Sequence, residues 1–173
     1  VITNTEVWLR GPVDGIAPLL QPVAHALLQA REDVERVMPT VPAEALWSRP
    51  HGAASAGFHL LHLAGALDRL FTYARGETLS DAQKMALKAE GVDHSELAGP
   101  ALVSRVKAAI DAALAQLRTT DIATLTEERR VGRTAMPSTV IGLLFHAAEH
   151  CTRHVGQFIT TIKIRESLYR FID

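Results

Sequence analysis

The sequence is short of most features that would send it to a membrane, to nucleic acid or out of the cell. A single cysteine, Cys151, leaves no partner for an internal disulfide and fits a reducing compartment. Charge of one sign is missing: 18 Lys and Arg against 19 Asp and Glu give a net charge of −1, so no global field draws the chain to nucleic acid or to an anionic bilayer. No apolar run approaches the roughly 20 residues of a membrane span. Residues 1–8 lack the basic-then-apolar order of a signal peptide. Aromatic residues are only 5%, and alternating stretches with hairpin turn signals are scarce, which argues against a sheet. Repeats and low-complexity segments are absent too. At 47% hydrophobic and 21% charged, the chain is globular rather than disordered. Its length predicts one domain over residues 1–173, and the single cysteine with no membrane span or signal pattern predicts a soluble, cytoplasmic one.

What is abundant is alanine and leucine at helical spacing. Ile16, Leu20, Val23, Leu27, Ala30, Val34 and Val37 alternate steps of four and three, which predicts a first helix from about Gly15 to Met38. Pro18 and Pro22 belong near its start, where a missing N–H costs least, and a start at Gly15 would let Pro22 kink it. Pro39 and Pro42 stop it. Residues 42–52 read as a loop around Trp47. Ser55 is a candidate N-cap for a second helix over residues 56–74, closed by Gly76. Ser80 caps a short helix over residues 81–90. A third long helix runs from about Pro100 to Leu117 with Leu102, Val106, Ala109 or Ile110, Ala113 and Leu117 on its apolar face. Residues 121–137 form a polar connection whose Arg129, Arg130 and Arg133 read as a solvated loop or as a basic patch for an anionic substrate; Glu127 and Glu128 beside them favour the first. Ser138 or Thr139 caps the longest helix, through about Lys163. Four long helices predict an all-α four-helix bundle with a short extra helix in the second-to-third connection.

The eight histidines are the unusual feature. His146, His150 and His154 sit at i, i+4 and i+8 of the last helix. Each step of four advances about 40° around the axis, so the three fall near one face, shared or bordered by Val140, Leu143, Leu144, Ala147 and Phe158. Imidazoles on a core-facing stripe need partners. His59 and His62 form an i, i+3 pair on the second helix, with His62 in the stripe of Leu63, Ala66, Leu70 and Tyr73. If the second and last helices are neighbours, His62 faces His150 and His154, and three neutral imidazoles form a site suited to zinc, nickel, copper or iron with positions left open. The competing reading is a set of core histidines bonded to backbone carbonyls, waters or Glu149. Glu149 precedes His150 instead of following the first histidine, so the zincin arrangement with its built-in general base is excluded. Glu149 orients a ligand, pairs with an arginine or faces solvent. Cys151, about 100° round from His150, reads as a buried structural thiol. Gly156 is explicable where a neighbouring backbone approaches closely, and Gln157, three residues after His154, can bond near the site or lie on the surface. His25 reads as peripheral and His51 and His94 as solvent residues. Asp68 and Arg69 read as structural, an inter-helix ion pair being as good an account as a catalytic role.

The segments Ser55-Ala-Gly-Phe-His-Leu-Leu-His62 and His146-Ala-Ala-Glu-His150-Cys-Thr-Arg-His154-Val-Gly-Gln157 resemble the DinB-like (YfiT-like) superfamily of metal-dependent four-helix proteins. The resemblance covers nearly the whole chain and is strongest around the second and fourth helices. It implies an up-down-down-up bundle and a metal triad of one histidine from the second helix and an HxxxH pair from the last. Carried over, these are His62, His150 and His154, with nickel or zinc as the ion. His59 and His146 are extra to that pattern, and with Glu149 and Gln157 they are candidates to line the pocket or support the ligands. The resemblance also implies a homodimer.

Two functional classes follow. In the first, the ion activates a thiol or a water, making the protein a thiol S-transferase or hydrolase-like enzyme acting on a small molecule, with a low-molecular-weight thiol as possible co-substrate. In the second, the bundle is a non-catalytic metal-binding or stress-response protein whose site is closed by a fourth protein ligand. A third account, a plain dimeric bundle with satisfied core histidines, needs no metal. A nucleic-acid role ranks below all three for want of a basic-aromatic surface.

Overall fold

The computed structural model describes residues 5–92 and 94–169. Its helices are α1 (Gln21–Val37), α2 (Ala43–Leu46), α3 (Ala56–Ala74), α4 (Asp81–Ala89), α5 (Gly99–Thr119) and α6 (Val140–Tyr169), and strands β1 (Glu128–Val131) and β2 (Met136–Thr139) form an antiparallel hairpin. Among the described residues no helix is long and apolar enough to cross a membrane.

Helix boundaries follow local chemistry. The Ser55 hydroxyl accepts a hydrogen bond from the Phe58 N–H at 3.2 Å and starts α3. Ser80 and Gln83 cap α4 reciprocally, at 3.1 and 2.9 Å. The Thr139 hydroxyl accepts from the Gly142 N–H at 3.1 Å and starts α6. α1 begins later than its apolar stripe suggests. Gly15 has φ +74°, and a 3-10 turn over Pro18–Leu20 precedes the helix, so Pro22 falls in the first turn and causes no kink. Ile16 is buried nonetheless, from a position before the helix. The expected loop around Trp47 contains the single turn of α2 and a 3-10 turn over Pro50–Gly52. The expected polar connection before α6 is the hairpin, closed by positive φ at Gly132 and Ala135. Four-residue strands, one carrying Pro137, leave too little alternation to read.

α3 packs on α6 and α5, and α1 packs on the same two helices, so α1 lies across the bundle from α3 and α5 across from α6. Side-chain pairs fix the directions. Arg31 meets Asp111 at 2.5 Å and Glu35 meets Lys107 at 2.7 Å, so α1 and α5 are antiparallel. His59 meets His154 and His62 meets His150, so α3 and α6 are antiparallel. Gln116 donates to the Phe71 carbonyl near the C-terminal ends of α5 and α3, while Trp47 bridges their N-terminal ends, against Gly57 and onto the Leu97 carbonyl at 2.9 Å. The bundle is therefore up-down-down-up. Leu60, Leu63, Leu67, Leu102, Ile110, Leu117, Leu144 and Phe158 are fully buried at its centre.

α4 is attached differently. None of its residues is buried. Gln83 reaches from it to the Asp68 carboxylate and the Thr72 hydroxyl of α3, both at 2.8 Å, and Glu90, just past its last turn, enters the interior.

Among the described residues no other part of the chain makes the expected close approach at Gly156: nothing lies within 4 Å of where its Cβ would be. A Cβ at Gly57 would instead meet the Trp47 ring at 2.9 Å. Gly156→Ala is therefore expected to raise stability by about 0.5–1 kcal/mol and Gly57→Ala to lower it by about 1–3 kcal/mol, as read by urea denaturation. Equal effects from the two would contradict this packing.

Candidate metal centre

The α3–α6 seam brings five histidines of two helices into one row of rings. Neighbouring ring centroids are 4.5 Å apart for His150 and His154, 4.6 Å for His62 and His154, and 5.1 Å for His62 and His150. One ring nitrogen from each of His62, His150 and His154 lies within 4.8 Å of the others. These three are the ones the sequence singles out as a triad.

Their surroundings assign their protons. Nδ1 of His62 lies 2.7 Å from Oε2 of Glu90, and its Nε2 lies 3.0 Å from Nε2 of His150. A carboxylate only accepts, so neutral His62 donates through Nδ1 and presents a bare Nε2 to the cluster. His150 then donates through Nε2, and its buried Nδ1 is left a lone pair with no hydrogen-bond partner. Nδ1 of His154 lies 3.1 Å from Nδ1 of His59, which leaves Nε2 of His154 for a ligand. A buried imidazole nitrogen without a partner is costly to the empty cluster. The edge of a tetrahedron with bonds of ~2.0–2.1 Å is roughly 3.3 Å; the His62 and His150 nitrogens are already 3.0 Å apart, and the three-histidine group lies within 4.8 Å, close enough for ring rotations to seat a transition ion. The donor set fits zinc or another imidazole-favouring divalent metal.

Burial sets the electrostatics. His154 is pushed down to about 4, first by desolvation and then by His62, His150 and His59 around it. Desolvation likewise lowers His150 and His59, with His62 the next cause for both. Neutral imidazole, the form a metal needs, thus persists at these positions further into acid than the ordinary value near 6.5 allows. Burial raises the Glu90 carboxyl, but hydrogen bonds from His62 and Arg69 outweigh it, and Glu90 ends below the usual carboxylate range. Arg69 Nη1 lies 2.5 Å from Glu90 Oε1, and both side chains are nearly inaccessible.

Several expectations change. His146 is not on the core face: its side chain is 50% exposed, its Nδ1 lies 3.4 Å from Glu149, and its ring stands 5.5 Å from that of His150. The drift of about 40° per four residues carries it to the rim. His62, expected inside the stripe, lies at the edge of the core, and His59 is the more buried of the pair. Glu149 pairs with Arg153 through Nε at 2.9 Å and is held below the usual carboxylate range by it; it is not part of the triad. Gln157 is exposed. His94, expected in solvent, is partly buried, its Nε2 2.7 Å from the Ala89 carbonyl and its ring 6.0 Å from Trp47. His51 is exposed and His25 reaches the Gly11 carbonyl at the periphery. Cys151 is buried and its thiol raised to about 12 by desolvation, so it is inert. Arg129 is tied to the Ala74 carbonyl and to Glu127, and Arg130 to Glu128. Ala74 is about 18 Å along α3 from His62, so this hairpin does not border the triad.

Sequence reasoning missed Glu90 and Phe58. The Phe58 ring stacks on His62, with centroids 5.5 Å apart and planes 11° from parallel. A signal for Glu90 existed. His62, Gly65 and Arg69 share one face of α3, and a glycine between two polar residues on a helix face marks a place where something inserts. Nothing in the spacing says which carboxylate does so.

A family model described as the DinB superfamily matches residues 26–158, a span that holds all three triad histidines. The comparison with curated proteins gives no match.

Because His154 titrates lower in the folded chain than in the unfolded one, the unfolded chain takes up a proton first as pH falls below 6.5. The metal-free protein should lose stability between about 6.5 and about 4, at up to about 1.4 kcal/mol per pH unit for this group. His150 and His59 act in the same direction. Denaturation curves at pH 7 and pH 5 test this; His154→Gln should flatten part of the decline, and a decline identical in that variant would remove His154 as its source.

Proposed function

The chain belongs to the DinB superfamily, and from that premise we propose that it is a metal-dependent enzyme acting on a small electrophilic substrate through a triad of His62, His150 and His154. The observation that carries the reading is the convergence of one ring nitrogen from each of three histidines on two helices of opposite direction. A divalent ion held there would supply Lewis acidity, lowering the pKa of a thiol or water enough to make a nucleophile near neutral pH. Zinc and nickel are the ions that suit the donors.

The chain's own residues prepare that chemistry. Glu90 accepts the His62 Nδ1 proton and so keeps the opposite nitrogen free. His59 Nδ1, 3.1 Å from His154 Nδ1, would accept the proton of a His154 that ligates through Nε2. Phe58 covers one face of the His62 ring and shields it from water. On the outer flank of α6, His146, Arg153 and Gln157 are exposed and Glu149 is half-buried, so the triad's solvent side is polar. Three histidines offer ring nitrogens that converge, while Glu90 and His59 sit on the Nδ1 atoms of His62 and His154, which favours a site with an open position over a closed structural one.

Protein prepared without a nickel column should carry about one zinc or nickel per chain by elemental mass spectrometry, and His62→Ala, His150→Ala and His154→Ala should each lose most of it. Full occupancy in all three variants would remove the triad. Holoprotein should then consume a low-molecular-weight thiol or hydrolyse a small ester or amide, with activity lost to a chelator and restored by the ion.

A further inference from the structure

The tie between α4 and the histidine cluster has a consequence for the ion. α4 buries no side chain of its own, yet the carboxylate that follows it is among the least accessible charged groups of the chain. The Arg69 guanidinium reaches both oxygens of Glu90, Oε1 at 2.5 Å and Oε2 at 3.5 Å, and Oε2 also takes His62 Nδ1 at 2.7 Å. Space for this exists because residue 65 is glycine. A Cβ there would stand 2.5 Å from Glu90 Oε1 and 2.8 Å from Arg69 Nη1. Gly65 and Arg69 thus form a seat on α3 into which α4 lowers a carboxylate beside one histidine of the triad.

From this arrangement we infer that Glu90, seated by Gly65 and Arg69, is the positioning residue that sets the affinity of the triad for its ion and couples ion binding to the docking of α4. The inference rests on the metal reading above. Glu90 fixes the His62 tautomer, orients the ring and raises the basicity of Nε2. Arg69 holds the carboxylate in place and balances its charge. His62 is the only member of the triad with an anionic partner: His154 has the neutral His59, and His150 Nδ1 has none. α4 reaches α3 through Gln83 and through the carboxylate of Glu90 that follows it, so the Glu90 contact is a large share of its attachment. Coupling is reciprocal, so an ion that draws on His62 Nε2 must also tighten the Glu90 contact.

The test is zinc binding, measured by competition with a chromophoric chelator, in the full chain and in Glu90→Gln, Gly65→Ala, the double variant and Gly156→Ala. Folding of each is checked by circular dichroism. Glu90→Gln and Gly65→Ala should each weaken zinc binding about 10- to 100-fold. The double variant should be no weaker than about the worse single, since both remove one contact. Gly156→Ala should bind like the parent. Cobalt(II) should give a shifted visible spectrum in both site variants, a change that loss of packing alone would not produce. Hydrogen exchange of residues 84–90 should slow on adding zinc to the parent and not to Glu90→Gln. If the parent binds zinc and either folded site variant binds with parental affinity and an unshifted cobalt spectrum, the inference fails while the metal reading stands. If the parent binds neither zinc nor cobalt, the metal reading fails and this inference with it.

Discussion

Two imidazole nitrogens 3.0 Å apart in the seam of a helical bundle must share either a proton or a cation. Much of the site follows from that constraint. In the metal-free chain the proton lies on His150 and points to His62, because the single proton of neutral His62 is already given to Glu90. The network then runs out. Each ring settles its neighbour's tautomer, and the last lone pair, on His150 Nδ1, has no donor. Protonating the cluster would supply one, but desolvation and mutual repulsion push His150, His59 and His154 down, so the rings remain neutral. The cluster is rich in acceptors and poor in positive charge, the condition under which a transition ion is the favourable occupant.

The bundle supplies the rigidity such a cluster needs. Antiparallel packing of α3 on α6 means that moving three residues forward on one helix moves four back on the other, which pairs His59 with His154 and His62 with His150 in the same register. Leu60, Leu63 and Leu67 on α3, and Leu144, Ala147, Ala148, Cys151 and Phe158 on α6, lie in the core on either side and hold that register. The site therefore sits on long helices anchored by apolar burial, while the single carboxylate that supports it comes from a helix with no such anchor.

The fold was legible because the signals that specify it are local. Apolar spacing, the serine and threonine caps and the glycine stops place most ends of the long helices to within a few residues; the start of α1 is moved by two prolines and the left-handed Gly15, and α6 runs on to Tyr169, beyond the expected end near Lys163. The triad was legible because its members repeat at helical spacing on two helices that turn out to be neighbours. His146 was misread by the same logic: a stripe of i, i+4 positions rotates, and at its third member the rotation carries a side chain from core to rim. Glu90, Trp47 and the hairpin were not legible. Their positions depend on how connections fold back over the bundle, and no period in the sequence records which loop residue arrives at which helix face.

Charge balance links the Arg69–Glu90 pair to the proposed chemistry. A buried ion pair is rarely a net source of stability, because desolvating both groups costs about as much as their attraction returns, and apolar replacements of similar volume often do as well. Removing one partner is a different matter, costing on the order of 3–5 kcal/mol by leaving the other charge buried alone. The pair is thus better understood by what it does for His62 than by what it adds to folding. Since Arg69 already matches the charge of Glu90, the histidine site has no net negative charge with which to offset a divalent ion. Three neutral nitrogens leave that charge uncompensated, so an anionic fourth partner is favoured, and it must come from solvent or from a substrate. A thiol or a water that arrives neutral meets the demand by giving up a proton. In the proposed reading, the structural choice of an arginine to hold Glu90 therefore favours deprotonation of an exogenous nucleophile at the open position over a closed, charge-balanced site.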